Sequence, residues 1–259
     1  MLRALAVAGL LTSPGGARAQ PPSPRPRQDL TADAAVTAGA GAATLSLLLL
    51  EDQLAPARCR WCSPSGLEAD VSLSLRWRDT ELAARSSDAL AFTLGGAVLA
   101  YSVYEGYARG DARRGWSNAL LVTEATSVAM LLDTTAKYAF ARQRPYAWRG
   151  ETRPGDRYDR NLSFVSAHTT FAFALAASSS TLLLEQRSPY ARTYACAAFG
   201  VAATTAYLRV AADRHFASDV LVGAAVGTLV GWAIPHFFHA PTEDGLRLAP
   251  APGGIAVAW

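Results

Sequence analysis

The stretch FVSAHTTFAFALAASSSTLLL, residues Phe164–Leu184, carries no Asp, Glu, Lys or Arg. A bilayer-spanning helix needs about 20 mostly apolar residues, and this run supplies that length. With no charged face it reads as a helix that is hydrophobic all round, buried in protein or facing lipid. Working outward, similar segments lie at Ala32–Leu50, Ala89–Tyr104, Asn118–Phe140, Tyr190–Val210 and Val220–Phe238. Tyr190–Leu208 holds only Arg192, and Val220–Ile234 holds no charge. The Ala89–Tyr104 segment is short, and Asn118–Phe140 contains Glu124 and Asp133. The expected fold class is all-α, a six-helix transmembrane bundle with an N-terminal signal segment and a short C-terminal tail. A soluble, alanine-rich helical bundle is the alternative.

The bulk composition agrees with that frame. Hydrophobic residues make up 51% of the chain and charged residues only 17%, which is lean on charge for a soluble protein. The net charge of +3 comes without a basic stripe, so nucleic acid is excluded as a partner class. At the N-terminus, Arg3 precedes the apolar run Ala4–Leu11, and Ala17-Arg18-Ala19 stands before Gln20. This is the secretory pattern of a short apolar core and a small-x-small cleavage site. The expected divisions are a signal peptide at 1–19, a Pro/Arg-rich leader at 20–31, a helical catalytic domain at 32–239 and a tail at 240–259. The polar region Glu51–Ser87 reads as a loop with one amphipathic element. Leu246-Arg247-Leu248 and the final Ile-Ala-Val-Ala-Trp, split by Pro and Gly, form a hairpin-like pattern. Cys59 and Cys62 lie in a polar loop and suit a local disulfide in an exported protein. Cys196, in an apolar run, reads as a small core residue.

Three charged blocks sit at the edges of these segments. The first is Lys137-Tyr-Ala-Phe-Ala-Arg-Gln-Arg144-Pro145. The second is Ser163-Phe-Val-Ser166-Ala167-His168-Thr169. The third is Arg209-Val-Ala-Ala-Asp-Arg-His215-Phe-Ala-Ser-Asp219. In an up-and-down bundle, the end of the third segment, the start of the fourth and the join between the fifth and sixth share one face. Topology alone therefore gathers the blocks.

A transferred phosphoryl group spreads negative charge over three oxygens, so its catalysis is mostly placement and charge stabilisation. Lys137, Arg144 and Arg209 can supply that stabilisation. Pro145 forces Arg144 out of helical geometry and onto a loop over the site. Ser166 and Ala167 stand at a helix N-terminus, where backbone N–H groups suit an anion. His215 and Asp219 are one helical turn apart, so a carboxylate on one ring nitrogen would leave the other free for attack. His168 would then protonate the departing oxygen. Asp133 and Lys137 form an i,i+4 ion pair that orients the lysine. Taken singly, the Lys137–Arg144 cations are also compatible with snorkelling to headgroups. Glu124 faces a polar interior, and His236 and His239 read as interfacial residues on the opposite side.

The blocks resemble the type 2 phosphatidic acid phosphatase superfamily, which includes class A acid phosphatases and vanadium haloperoxidases. Lys137, Arg144-Pro145, Ser166, His168, Arg209, His215 and Asp219 match that family's spacing. Val165, Ala167 and Leu208 replace its proline, glycine and serine. The resemblance implies a metal-independent hydrolase of lipid phosphates, with no cofactor and no obligatory protein partner. Lipid phosphate and membrane lipids are the expected partners. The implied catalytic residues are His215, His168 and Asp219, with Lys137, Arg144, Arg209, Ser166 and Ala167 binding phosphate. The expected location is the inner membrane of a bacterial-type cell, multi-pass, with the site facing the periplasm; a soluble periplasmic protein is the alternative. Functional alternatives are a vanadate-dependent haloperoxidase-like enzyme and a catalytically silent lipid-binding relative.

Overall fold

The computed structural model describes residues 29–153, 159–239, 247–251 and 254–258. The expected signal peptide, most of the leader and half of the tail lie outside them. Helix starts follow local capping chemistry. Asp29 Oδ1 accepts from the backbone N–H groups of Thr31 and Ala32 at 3.2 Å and opens α1, Leu30–Leu49. A four-residue turn, α2 (Glu51–Leu54), follows. Ser65 and Glu68 form a reciprocal capping box that starts α3, Gly66–Leu75. Asp79 caps α4, Thr80–Ala108, and Asp111 caps α5, Ala112–Phe140. α5 stops at Ala141, whose left-handed backbone (φ 45°) turns the chain. Pro145 sits in the first turn of the short α6, Pro145–Trp148. The remaining long helices are α7 (Ala167–Glu185), α8 (Ala191–Ala211) and α9 (Ala217–Ala233), the last running into a π-helical turn at Ile234–Phe238. Two strands, β1 (Arg247–Ala251) and β2 (Gly254–Ala258), pair antiparallel as the tail's pattern predicts.

Among the described residues, the long helices α1, α4, α5, α7, α8 and α9 pack together. Tyr138 Oη donates to the Leu47 carbonyl at 2.7 Å, so α1 and α5 run parallel and finish at the same end. At that end, Trp77 N donates to Ala211 O, and Ser166 N donates to Asp219 O. The start of α4, the end of α8 and the starts of α7 and α9 thus meet there. The chain runs up and down, and all three blocks reach one face.

Among the described residues, four helices are long and apolar enough to cross a membrane: α1, α5, α7 and α9 with its π-turn. The six-span expectation is met only to that extent. α4 carries Glu81, Arg85, Asp88 and Glu105, and starts at Thr80 rather than near Ala89, because Asp79 supplies a cap the hydropathy pattern does not register. The outer faces expose large apolar side chains, among them Leu49, Phe92, Leu132, Leu221 and Leu229. Such a broad apolar exterior belongs against lipid rather than water.

The interior is packed with small residues. Gly223, Gly227 and Gly231 fall one turn apart along α9, and a Cβ built on Gly227 would lie 2.4 Å from Thr170 O of α7. That close approach requires glycine, as in small-x-x-x-small helix pairs. α4 and α5 cross the same way, where a Cβ on Gly106 would meet Gly115 N at 2.4 Å. Cys196, expected in the core, is exposed on α8, because the residues that bury this helix are the alanines Ala198 and Ala202.

Candidate active site

The segment between α5 and α6 is extended and held on both sides. Arg60 N donates to Ala141 O at 3.0 Å, and Gln143 N donates to Trp61 O at 2.9 Å. On the other side, Ser163 N reaches Arg142 O and Arg144 N reaches Arg160 O, both at 2.9 Å. Cys59 and Cys62 are disulfide-bonded, with a Cα–Cα separation of 5.3 Å, as expected. The bridge closes the loop that carries Trp61. Arg144 adopts the extended backbone that the following proline imposes (φ −73°, ψ 154°).

This bracing points Arg144 at His215. Its Nη1 lies 3.3 Å from His215 Nε2 and donates to Arg214 O at 2.9 Å, while Nε donates to Asp159 O at 2.9 Å. Asp159 also pairs with Arg144 through its carboxylate. Burial pushes the Asp159 carboxyl up, but Arg144, Lys137 and His215 together hold it below its ordinary range.

His215 is fully enclosed, and its Nδ1 lies 2.7 Å from Ser163 O. A carbonyl oxygen only accepts, so Nδ1 carries the hydrogen and Nε2 keeps its lone pair. Burial first, and then the positive charges of Arg144, Lys137 and Arg209, push the His215 imidazole well below its ordinary pKa. The three expected cations thus all act on one neutral ring.

Asp219 departs from expectation. Its Oδ2 is 3.7 Å from His215 Nδ1, beyond hydrogen-bond range. Instead the carboxylate accepts from Arg142 Nη1 at 2.5 Å, Ser163 Oγ at 2.6 Å and the Phe216 N–H at 2.9 Å. Helical spacing brought Asp219 close to the ring, but the intervening loop carbonyl reaches the ring first. Arg142 is only 1% exposed, stacks on Trp61 at 3.7 Å and on Phe216 at 4.5 Å, and also binds Glu68 at 2.9 Å. Arg142 is not among the residues the sequence points to as binding phosphate, and it is enclosed in protein.

His168 and Arg209 converge through a carboxylate that the hydropathy pattern left outside every block. Asp88 of α4 accepts from His168 Nε2 at 2.8 Å and from Arg209 Nη1 at 3.2 Å. Arg209 also donates to Ser87 Oγ at 3.1 Å. The only signal for Asp88 was a single acid at the edge of an apolar run. Lys137 donates to Leu162 O at 3.3 Å and to Val165 O, and its Nζ is 3.7 Å from Asp133, the predicted pair. Ser166 is fully buried and takes a hydrogen bond from Thr169 Oγ1 at 3.0 Å. Its side chain does not cap α7, whose first residue is Ala167.

A neutral imidazole with one bare nitrogen, ringed by buried cations at helix ends, is built to meet an anion. Comparison with known proteins agrees. A family model described as the PAP2 superfamily matches residues 118–243. The chain is 34% identical over 160 residues to the lipid A 1-phosphatase of Porphyromonas gingivalis, a match covering 58% of this chain and 32% of that protein. It thus spans about a third of that relative's length. Among solved structures, a transmembrane PAP2-type phosphatidylglycerolphosphate phosphatase from Bacillus subtilis shares the fold, with a TM-score of 0.51 and 19% identity over 74% of this chain and 93% of that one. The matched region, just under half of the chain, contains every residue expected to bind phosphate or to react with it, and over that region the chain is similar to the PAP2 superfamily.

Proposed function

We propose that the chain is a phosphatase acting on a lipid phosphate through a phosphohistidine, with no metal in the reaction. The observation that carries this reading is the His215 ring, with Nδ1–H fixed on Ser163 O and Nε2 facing Arg144. In the first half-reaction Nε2 attacks phosphorus, a P–N bond forms and the P–O bond to the lipid breaks. His168 gives its proton to the leaving oxygen. Lys137, Arg144 and Arg209 neutralise the equatorial oxygens, and the Ser166 hydroxyl and the Ala167 N–H at the start of α7 add donors. In the second half water attacks the phosphohistidine, His168 takes the proton, and phosphate leaves with Nε2 restored. Asp88 orients His168 for both transfers, and Asp219 fixes Ser163 and thereby the His215 tautomer.

The helix ends that form the site sit at a membrane face, so a substrate with its phosphate at the headgroup level and its tails in the bilayer is the fitting class. The relative from Porphyromonas gingivalis is named for lipid A 1-phosphate, which makes a lipid A phosphate the first substrate to try. In this reading α4 and α8 cross the membrane too. The Cys59–Cys62 bridge lies on the site's side, and disulfides persist in oxidising compartments, which favours a periplasmic site. α1 then enters from the cytoplasmic side, an orientation that an uncleaved N-terminal segment satisfies.

The test is phosphate release by the purified full chain in detergent from a panel of lipid A phosphate, phosphatidic acid, phosphatidylglycerol phosphate and polyprenyl pyrophosphate, with EDTA present. Wild type releases phosphate, and His215→Ala falls to background. Equal release by both, or loss of wild-type activity in EDTA, refutes the reading.

A further inference from the structure

A second cluster of ionisable groups lies in the opposite half of the bundle, and the phosphatase mechanism does not use it. Asp33 of α1, Glu124 of α5 and His239, just past the π-turn, come together there from three distant parts of the chain. One ligand atom from each lies within 4.8 Å of the other two. All three are at least nine-tenths buried, at 5%, 6% and 4% exposure. Glu124 sits about 20 Å along the α5 axis from Lys137, at ~1.5 Å of rise per residue. It is separate from the phosphate site.

Among the described residues the charges in this cluster do not balance. His239 Nε2 lies 3.3 Å from Glu124 Oε2, and one imidazolium can match one carboxylate. Among the described residues the second carboxylate has no cation of its own. Among the described residues no Lys or Arg forms an ion pair with Asp33 or Glu124. Asp33 Oδ2 and Glu124 Oε2 are enclosed and take no hydrogen bond. An unmatched ionised carboxylate buried in an apolar interior is expensive, and such groups are paired or bind metal. Sequence alone could not show the cluster, because the three residues are far apart and each borders a different segment.

We propose that Asp33, Glu124 and His239 bind one first-row divalent cation, with Zn²⁺ as the fitting probe. Two carboxylate oxygens and one imidazole nitrogen form a donor set of the borderline-hard type that zinc accepts, with a fourth position left for water. The ion offsets the surplus negative charge and ties the start of α1, the middle of α5 and the end of α9. Its role is structural, and it fixes the end of the bundle remote from the phosphate site.

The experiment uses the full chain in detergent, stripped with EDTA, dialysed and titrated with Zn²⁺ alone. Bound metal is counted by mass spectrometry, and thermal unfolding is followed in parallel. Wild type takes up one zinc per chain and its unfolding temperature rises. Asp33→Asn and Glu124→Gln keep shape and lose charge. Each weakens zinc binding by at least about tenfold, the lower end of what even an outer partner of a metal ligand is worth. Their lipid phosphate turnover stays at the wild-type level in EDTA, which shows that they fold. His215→Ala keeps the zinc while losing turnover, so this site and the proposed phosphatase reaction fail independently. Absence of stoichiometric zinc in wild type overturns the proposal, as does unchanged affinity in both carboxamide variants. If wild type takes up no zinc and either variant is more stable than wild type, the carboxylates share a proton instead and the proposal is likewise overturned.

Discussion

At the scale of single residues, Arg142 shows how a charge can be structural beside charges proposed to bind substrate. It is enclosed between Trp61 and Phe216 and holds Asp219, which is itself fully buried. Arg142→Ala leaves that carboxylate without its cation, and breaking a buried pair in this way costs about 3–5 kcal/mol. Thermal unfolding in detergent measures it, and Arg142→Lys recovers only part because lysine cannot make the two-sided contact with Asp219 and Glu68. In the proposed reaction Asp88 acts through its contact with His168. Asp88→Asn is expected to lower kcat by up to about a hundredfold, within the range general acid–base catalysis supplies, with little change in KM. His215 predicts a pH dependence. Its folded pKa lies below the unfolded value near 6.5, so below that pH the unfolded chain binds the proton more readily. Stability contributed by the neutral ring is complete above about pH 6.5 and is lost as pH falls toward the folded pKa. The acid limb of kcat/KM should therefore sit below pH 6.5, and an acid limb at or above it would contradict a depressed nucleophile.

At the scale of elements, the contact between α7 and α9 decides whether the two histidines stay in register. Gly227 has Thr170 O at 2.4 Å and Ala174 N at 2.9 Å from where a Cβ would stand, and both are backbone atoms that cannot turn aside. Gly227→Ala is expected to cost about 1–3 kcal/mol through overpacking, read as a lower unfolding temperature. Gly200 of α8 is the control, with nothing within 4 Å of its virtual Cβ. There alanine gains helix propensity of up to about 1 kcal/mol and should not destabilise. The glycine spacing on α9 is plain in the sequence, but only the packed helices show which face it serves. Helix starts were the least legible boundaries, because Asp79 and Asp111 extend α4 and α5 beyond their apolar stretches by hydrogen bonds that hydropathy does not weigh.

At the scale of the whole molecule, α9 starts at the site and runs away from it, so its end comes out opposite the site. With a periplasmic site, a green fluorescent protein fused after residue 259 should fluoresce, and alkaline phosphatase inserted between Leu54 and Ala55 should be active. The reverse pair of results would place the site in the cytoplasm. The residues expected to form the site lie in α5, α7, α8 and α9 or the loops that join them, and Asp88 adds α4.

The sequence by itself determined the helical class, the apolar segments and the three blocks, since spacing along a helix and hydropathy are local properties of the chain. It also determined that the blocks share a face, because short connections make neighbouring helices antiparallel. What only the tertiary structure decided was which partner each charge takes. Ser163 O rather than Asp219 holds the His215 ring, Asp88 holds His168, and Arg142 is enclosed rather than at the headgroups. Those pairings depend on contacts between residues tens of positions apart, where differences of an ångström choose between a carbonyl and a carboxylate.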